Sequence, residues 1–236
     1  YRETLCTALR DNMDIQDLTD DVVSARAVSV ADLFRDMHLV NDNALADCTY
    51  VVTQTISTDR TLAQNFEVAE KVTAALSLVL DRAKFGMGVD DTLLEDVHST
   101  LALLAQGCQG NLAIGEAPME FVDDNMRMTV AMTDSVDMQT SNFTVPLSTY
   151  ETYAGSEAAT LRLTDVSDTT GGGTVGVMFL QYTANPQELS SNSSNVQIQS
   201  TRYDSSSRRR TRRRMQEDRL MGQTPPISRA SGASSF

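Results

Sequence analysis

The residue types most often used in catalysis are sparse and scattered in this chain. Its two histidines, His38 and His98, lie in segments with helical periodicity, where a histidine is more often a surface or boundary residue than a general base. No G-x-S-x-G nucleophile motif is present. The glycine run at residues 171–173 lacks the lysine and the strand-then-helix context of a phosphate-binding loop. We therefore predict a protein that is not an enzyme and that holds no cofactor or metal.

The three cysteines are compatible with one disulfide bridge and one remaining thiol. Cys6, Cys48 and Cys108 are scattered singly, with no C-x-x-C pair of the kind that binds zinc or performs thioredoxin-type chemistry. Because disulfides persist in oxidising compartments, one bridge would indicate an exported protein. The alternative is three buried thiols in a reducing compartment. The spacing does not decide which cysteines pair.

Two N-x-S/T triplets are candidate glycosylation sites, at Asn142 and Asn192. Asn192 lies in a serine-rich stretch and is the better candidate for an exposed acceptor. Asn142 begins a predicted strand, where its side chain could be half buried. Glycosylation at either position would indicate an extracellular glycoprotein.

A cluster of arginines near the end of the chain admits three interpretations. Its members are Arg208, Arg209, Arg210, Arg212, Arg213 and Arg214. They could form a nuclear-localisation or RNA-binding patch, a site of proteolytic processing, or a solvated charge run that pairs loosely with the acidic body. The first is disfavoured because no aromatic residues interleave with the arginines.

The charge distribution is strongly asymmetric. Residues 1–201 carry 10 basic and 29 acidic side chains, a net charge of −19, whereas residues 202–236 carry 9 basic and 3 acidic ones, a net charge of +6. A nucleic-acid surface needs a basic footprint, so the acidic body argues against that class of partner. No apolar run approaches the length of a membrane span, so we predict no membrane insertion in this segment.

The first half of the chain has the periodicity of helices. Apolar residues recur every three or four positions up to about residue 106, as in helices that bury one face. One face comprises Phe66, Ala69, Val72, Leu76, Val79 and Ala83, and another comprises Leu45, Cys48, Val52 and Ile56. Ser29 with Asp32, and Thr92 with Glu95, are predicted helix starts, and glycines 86, 88, 107 and 110 are predicted helix ends. The pattern predicts four to six packed helices.

Beyond residue 111 the period becomes that of strands. Residues 126–132 alternate as in a half-buried strand, residues 143–147 alternate around Pro146, and Leu161 and Leu163 flank Arg162. The strongest strand is predicted over 174–182, with Val175, Val177 and Phe179 on one face. Consecutive short strands without intervening helices predict an antiparallel sheet or sandwich.

These patterns predict an α+β fold in three parts. An N-terminal antiparallel helical array occupies residues 1–110, a β-rich, sandwich-like subdomain occupies residues 111–187, and a low-complexity Ser/Arg-rich loop or tail occupies residues 188–236. The last part is predicted to be disordered because it cannot bury enough apolar surface to offset its ordering entropy.

The order of helices and strands resembles the GAIN domain of adhesion receptors and polycystin-1-like proteins, which joins a helical subdomain to a β-sandwich. Four stretches carry the resemblance: the paired helices 66–80 and 92–105, residues 111–114 leading into strand 126–132, the strand 143–147 with its proline, and residues 175–179 followed by Asn185-Pro186. The family's self-cleavage site has a His-Leu-Ser/Thr tripeptide and nearby cysteine pairs. This chain has no histidine after His98 and no cysteine after Cys108, so no catalytic residue is carried over.

The resemblance implies a non-enzymatic structural or interaction module of a large extracellular or ciliary surface protein. Its partners would be other domains of the same protein, and by analogy a membrane channel. Two alternatives stay open at this point. The chain could be a subunit segment of a filamentous or flagellar assembly whose tail orders on binding, or a fragment of a hydrolase whose active site lies outside this segment.

Overall fold

The computed structural model of the protein describes residues 1–15, 17–85, 87, 89–134, 137–139, 141–162, 173–183 and 196–202. Its α-helices are α1 (Arg2–Asp11), α2 (Asp20–Phe34), α3 (Asp42–Thr58), α4 (Phe66–Val79), α5 (Asp81–Lys84), α6 (Asp91–Gln109) and α7 (Thr149–Tyr153). Its strands are β1 (Met119–Val122), β2 (Met126–Asp134), β3 (Asn142–Thr144), β4 (Thr160–Arg162), β5 (Thr174–Tyr182) and β6 (Val196–Arg202). Short 3₁₀ turns follow α1, α2, α3 and β2.

Side-chain caps set the starts of the long helices. Thr19, Asn41, Asn65 and Asp90 accept backbone hydrogen bonds at the starts of α2, α3, α4 and α6, respectively. The predicted starts at Ser29 and Thr92 are wrong. Ser29 lies inside α2 and donates to the carbonyl of Ala25 at 2.8 Å. The backbone N–H of Thr92 donates to Asp90, which caps α6 two residues earlier than predicted.

Two predicted helix ends also differ from the structure. The long helix predicted from Phe66 to Ala83 ends at Val79, and the short α5 follows at Asp81. Gly107 lies inside α6 and ends nothing, whereas Gly110 is the residue that follows the helix. A Cβ at Gly107 would overlap the backbone of Ala63, so this glycine allows α6 to approach the 3₁₀ turn Leu62–Gln64 closely. Glycines 86 and 88 lie outside the described residues.

Most residues of the predicted apolar faces lie in the core of the helical array, but Phe66, which was predicted on the buried face of α4, is 40% exposed. Leu45, Cys48, Val52 and Ile56 of α3 are all buried, at 4% exposure or less. α1 packs against α3, and α2 packs against α4. The periodicity of three and four residues therefore identified the buried side of α3 correctly.

The main sheet is antiparallel, with the strand order β1-β2-β5-β6. A second, two-stranded antiparallel sheet pairs β3 with β4. In the main sheet Met126 lies opposite Tyr182, and Met132 lies opposite Gly176. The rings of Tyr182 and His98 lie 5.5 Å apart, so this face of the sheet packs on α6.

The other face of the main sheet is also covered. Ala131, Val175 and Val177 form a buried cluster with Met138 and with Phe143 of β3, and Leu161 of β4 packs against it. The strand β2 is consequently buried on both faces from Met126 to Thr133, whereas its alternating pattern predicted a half-buried strand. The predicted α+β class, with helices first and antiparallel strands second, is confirmed. A complete two-sheet sandwich and the boundaries of the subdomains stay predictions.

The strand β6 was not predicted. It lies within the stretch 188–236 that was expected to form a loop or tail, and it pairs with β5 from Val196 to Arg202. Across the described ranges, no helix combines the length and the apolar character that crossing a membrane requires.

Candidate functional site

A disulfide bridge joins α1 to α3 covalently. Cys6 of α1 and Cys48 of α3 are bonded, and both are fully buried. Their Cα atoms lie 4.8 Å apart across a sequence separation of 42 residues. The prediction of one bridge and one remaining thiol is confirmed, and packing of α1 on α3 supplies the pairing that spacing could not.

Polar contacts surround the bridge on the outer side of α1. Asp47 of α3 accepts hydrogen bonds from Arg10 at 2.6 Å and from Thr7 at 2.8 Å. The bond from Arg10 is the main reason that the pKa of Asp47 is lower than usual. Glu3 accepts from the side-chain amides of Asn41 and Asn43 at 2.7 and 2.9 Å. Apart from Asp47, these groups are exposed, so each of these bonds contributes little to stability.

The third cysteine is a buried thiol. Cys108 lies on α6 with no exposed surface, and its Sγ donates to the carbonyl of Ala63 at 3.7 Å. Burial raises the pKa of the Cys108 thiol to about 11. Because the thiolate is the reactive form, this cysteine is suited to packing rather than to nucleophilic chemistry.

The first of the two glycosylation candidates lies at the surface. Asn142 is exposed at the start of β3, as is Thr144, while Phe143 between them is buried. The structure therefore presents both polar residues of the triplet to solvent. Asn192 and the whole arginine cluster, 208–214, lie outside the described residues.

A buried polar link joins the helices to the sheet. The side-chain amide of Asn125, in the turn between β1 and β2, donates to the carbonyl of Ser77 in α4 at 2.9 Å. The backbone N–H of Asn125 donates to the hydroxyl of Ser77 at 3.3 Å. Both residues are 2% exposed, so these bonds form away from competing water.

An ion pair holds α7 to the outer face of the sheet. Arg127 of β2 is 8% exposed, and its guanidinium lies 2.6 Å from the carboxylate of Glu151 in α7. The same carboxylate accepts bonds from the backbone and hydroxyl of Ser148, which lower the pKa of Glu151 together with Arg127. The sequence offered one signal for this feature that was not used above, the capping-box spacing of Ser148 and Glu151.

The histidines do not assemble a catalytic group. His98 is half buried against Tyr182, and burial lowers its pKa. His38 lies in the turn Met37–Leu39, with its ring 6.1 Å from that of Phe85. Both positions agree with the surface or boundary role predicted for them.

Three acidic pairs of the sequence lie at turns and helix starts. Asp20 and Asp21 lie in the first turn of α2, Asp90 caps α6, and Asp123 and Asp124 lie in the turn between β1 and β2. Burial, with Asp124 and Glu70 nearby, raises the pKa of Asp123 to about 7. In the part of the chain that the structure describes, no three His, Cys, Asp or Glu side chains are grouped to hold a metal ion.

Comparison with protein-family models matches no family, and comparison with curated protein sequences finds no significant match.

Proposed function

We propose that this chain is a non-enzymatic structural and interaction module of a larger protein at the cell surface, of the GAIN type and close to the membrane. The observation that carries the proposal is the buried bridge between Cys6 and Cys48. Bridges of this kind persist in oxidising compartments and are rare in the cytosol, where thiols are kept reduced.

The packing suits a spacer that resists deformation. The helical array and the main sheet meet through the buried bonds between Asn125 and Ser77, and through the rings of His98 and Tyr182. The main sheet is covered on its second face by the β3–β4 pair. A sheet held from both sides cannot shear away from the helices without exposing core residues to water.

The surface chemistry supports a role in contacts outside the cell. The acidic body keeps the module soluble and disfavours non-specific binding to nucleic acid. Asn142 is exposed and offers a glycan acceptor on the side of β3. In the proposed setting, the partners are other domains of the parent protein and, by the resemblance to polycystin-1-like proteins, a ciliary or flagellar channel.

Intact mass of the natively purified protein tests the proposal. After unfolding without reductant, alkylation should add one group to this segment, at Cys108, and after reduction it should add three. Removal of glycans should lower the mass, and an Asn142→Gln variant should lose the part of this decrease that comes from β3. The number of alkylated thiols is the control for the glycan measurement, because it indicates an oxidising or a reducing compartment whether or not a glycan is present.

Three free thiols and an unmodified mass would contradict the proposal. They would place the chain in a reducing compartment, and an intracellular assembly subunit would then be the better hypothesis. A single free thiol without any glycan would keep the oxidising compartment and would remove Asn142 as an acceptor.

A further inference from the structure

A polar cleft of about 570 Å³ opens where the end of α1 and the turn Met13–Ile15 face α2 and α3. Its walls include Arg10, Asp11, Asp14, Arg26, Tyr50 and Thr55. The volume falls within the roughly 300–1,000 Å³ of small-molecule sites. The residues of the cleft take no part in the disulfide bridge or in the link between α4 and the sheet.

Arg26, on α2, is a buried cation without a carboxylate partner among the described residues. It is 7% exposed, and it donates to the carbonyl of Met13 at 2.9 Å and to the hydroxyl of Thr55 at 3.3 Å. Among the described residues, two other arginines are as buried as Arg26, and each has an acidic partner: Arg82 lies 2.8 Å from Asp42, and Arg127 lies 2.6 Å from Glu151.

Arg26 therefore differs from Arg82 and Arg127 in having no ion pair with a described carboxylate, and its remaining N–H donors are free to bind an anionic group from the cleft. A guanidinium has five N–H donors, and the bonds to Met13 and Thr55 use two of them. A buried charge without a counter-ion is destabilising, and a carboxylate that binds two donors in parallel would offset that cost. Burial lowers the pKa of Arg26, while the charge of Asp14 acts in the opposite direction.

The other cation of the cleft is already neutralised. Arg10 is bound to Asp47 at 2.6 Å, and its guanidinium carbon lies 5.2 Å from the centre of the Tyr50 ring. The contact fixes Arg10 against the aromatic wall. The 44% exposure of Tyr50 leaves part of this side chain uncovered beside the cleft.

The rim selects against a ligand that carries only negative charge. Asp11 and Asp14 are exposed carboxylates at the cleft, within a body whose net charge over residues 1–201 is −19. A free anion would be repelled by this field on its way to Arg26. A ligand with both an anionic and a cationic group avoids that repulsion and can place its cation near the two aspartates.

We propose that the cleft binds a small zwitterion of the amino-acid class, with its carboxylate on Arg26 and its ammonium group toward Asp14 and Asp11. The side chain of the ligand lies toward Met13 and Leu18, which also line the cleft. This binding is independent of the proposed surface role, since it needs only the folded helical array.

Saturation-transfer NMR on the whole chain tests this inference. The probes are the standard L-amino acids at millimolar concentration, with succinate and butylamine as controls that carry charge of one sign only. Transfer to one or more amino acids and to neither control is the expected result. An Arg26→Lys variant keeps the charge but loses the planar fork, and should weaken binding at least tenfold.

Matched variants separate binding from folding. Arg35→Gln changes a largely exposed arginine just after α2 and should leave the transfer unchanged. Asp14→Asn changes an exposed carboxylate and should weaken amino-acid binding severalfold, which keeps the test valid if Arg26→Lys does not fold. Absence of transfer to every amino acid would overturn the inference. So would equal transfer to succinate, or binding that neither Arg26→Lys nor Asp14→Asn changes in folded protein.

Discussion

Removal of the bridge between Cys6 and Cys48 is expected to lower the free energy of unfolding by about 4 kcal/mol. The figure follows from the entropy of closing a loop in the unfolded chain, for the observed separation of 42 residues. A Cys6→Ala/Cys48→Ala variant removes the bridge together with two buried sulfur atoms. Reduced wild-type protein is the matched control, because it loses the bridge and keeps both side chains.

Urea unfolding of the oxidised, reduced and double-alanine forms measures this difference. The reduced and double-alanine forms should agree within about 1 kcal/mol, and both should unfold with a steeper dependence on urea because their unfolded chains expose more surface. Decreases below about 1 kcal/mol in both forms would refute the reasoning. They would mean that the unfolded chain already keeps α1 near α3, so that the bridge restricts little.

Hydrogen exchange locates the effect. The described polar contacts of α1 lie mostly at the surface, and exposed ion pairs contribute at most about 1 kcal/mol each. A helix of 10 residues is also marginal in isolation. Reduction should therefore speed exchange in α1 before it affects α4, and uniform protection in both helices would contradict this order.

Three further predictions concern the core and the turn between β1 and β2. Cys108 should resist iodoacetamide at pH 8 in the folded protein and react once urea unfolds the chain, whereas rapid native labelling would contradict its burial and raised pKa. Asn125→Ala removes the side-chain bond to Ser77 and should lower the free energy of unfolding by about 2 kcal/mol in urea. The pKa of Asp123 is higher in the folded chain than in the unfolded chain, so the folded chain binds this proton more tightly. Its contribution to the free energy of unfolding is therefore complete below about pH 4 and is lost as the pH rises through about 7. Asp123→Asn should remove that part of the slope in pH-dependent unfolding, and Glu120→Gln on β1 should keep it.

Local periodicity located most helices of the first half and four of the six described strands, but it did not predict α7, β1 or β6. The apolar positions of α3 and the alternation of β5 reflect burial that each element would show in any compact packing. Helix starts were less predictable because several Ser, Thr, Asn and Asp residues compete as caps. Thr19 and Asp90, which lie earlier in the chain than Ser29 and Thr92, are the residues that cap α2 and α6.

Features that depend on distant residues could not be predicted from local patterns. The sequence of β6 is mostly polar, and no strand was predicted there. The strand forms because its backbone pairs with that of β5. The alternate polar residues of β2 predicted a face exposed to solvent. In the structure Arg127 on that face is covered and paired with Glu151. The cleft at Arg26 depends on how the consecutive helices α1, α2 and α3 pack together. Which cysteines pair also depends on the docking of α1 on α3.

The bridge also limits how far the chain can be stretched. The bridge keeps the Cα atoms of residues 6 and 48 within about 7 Å of each other even when every helix between them has been pulled open. The 42 intervening steps would otherwise add up to about 150 Å of contour length. Under tension, the chain therefore reaches a shorter maximum length when the bridge is intact than when it is reduced. The redox state of the surroundings determines which of the two lengths applies.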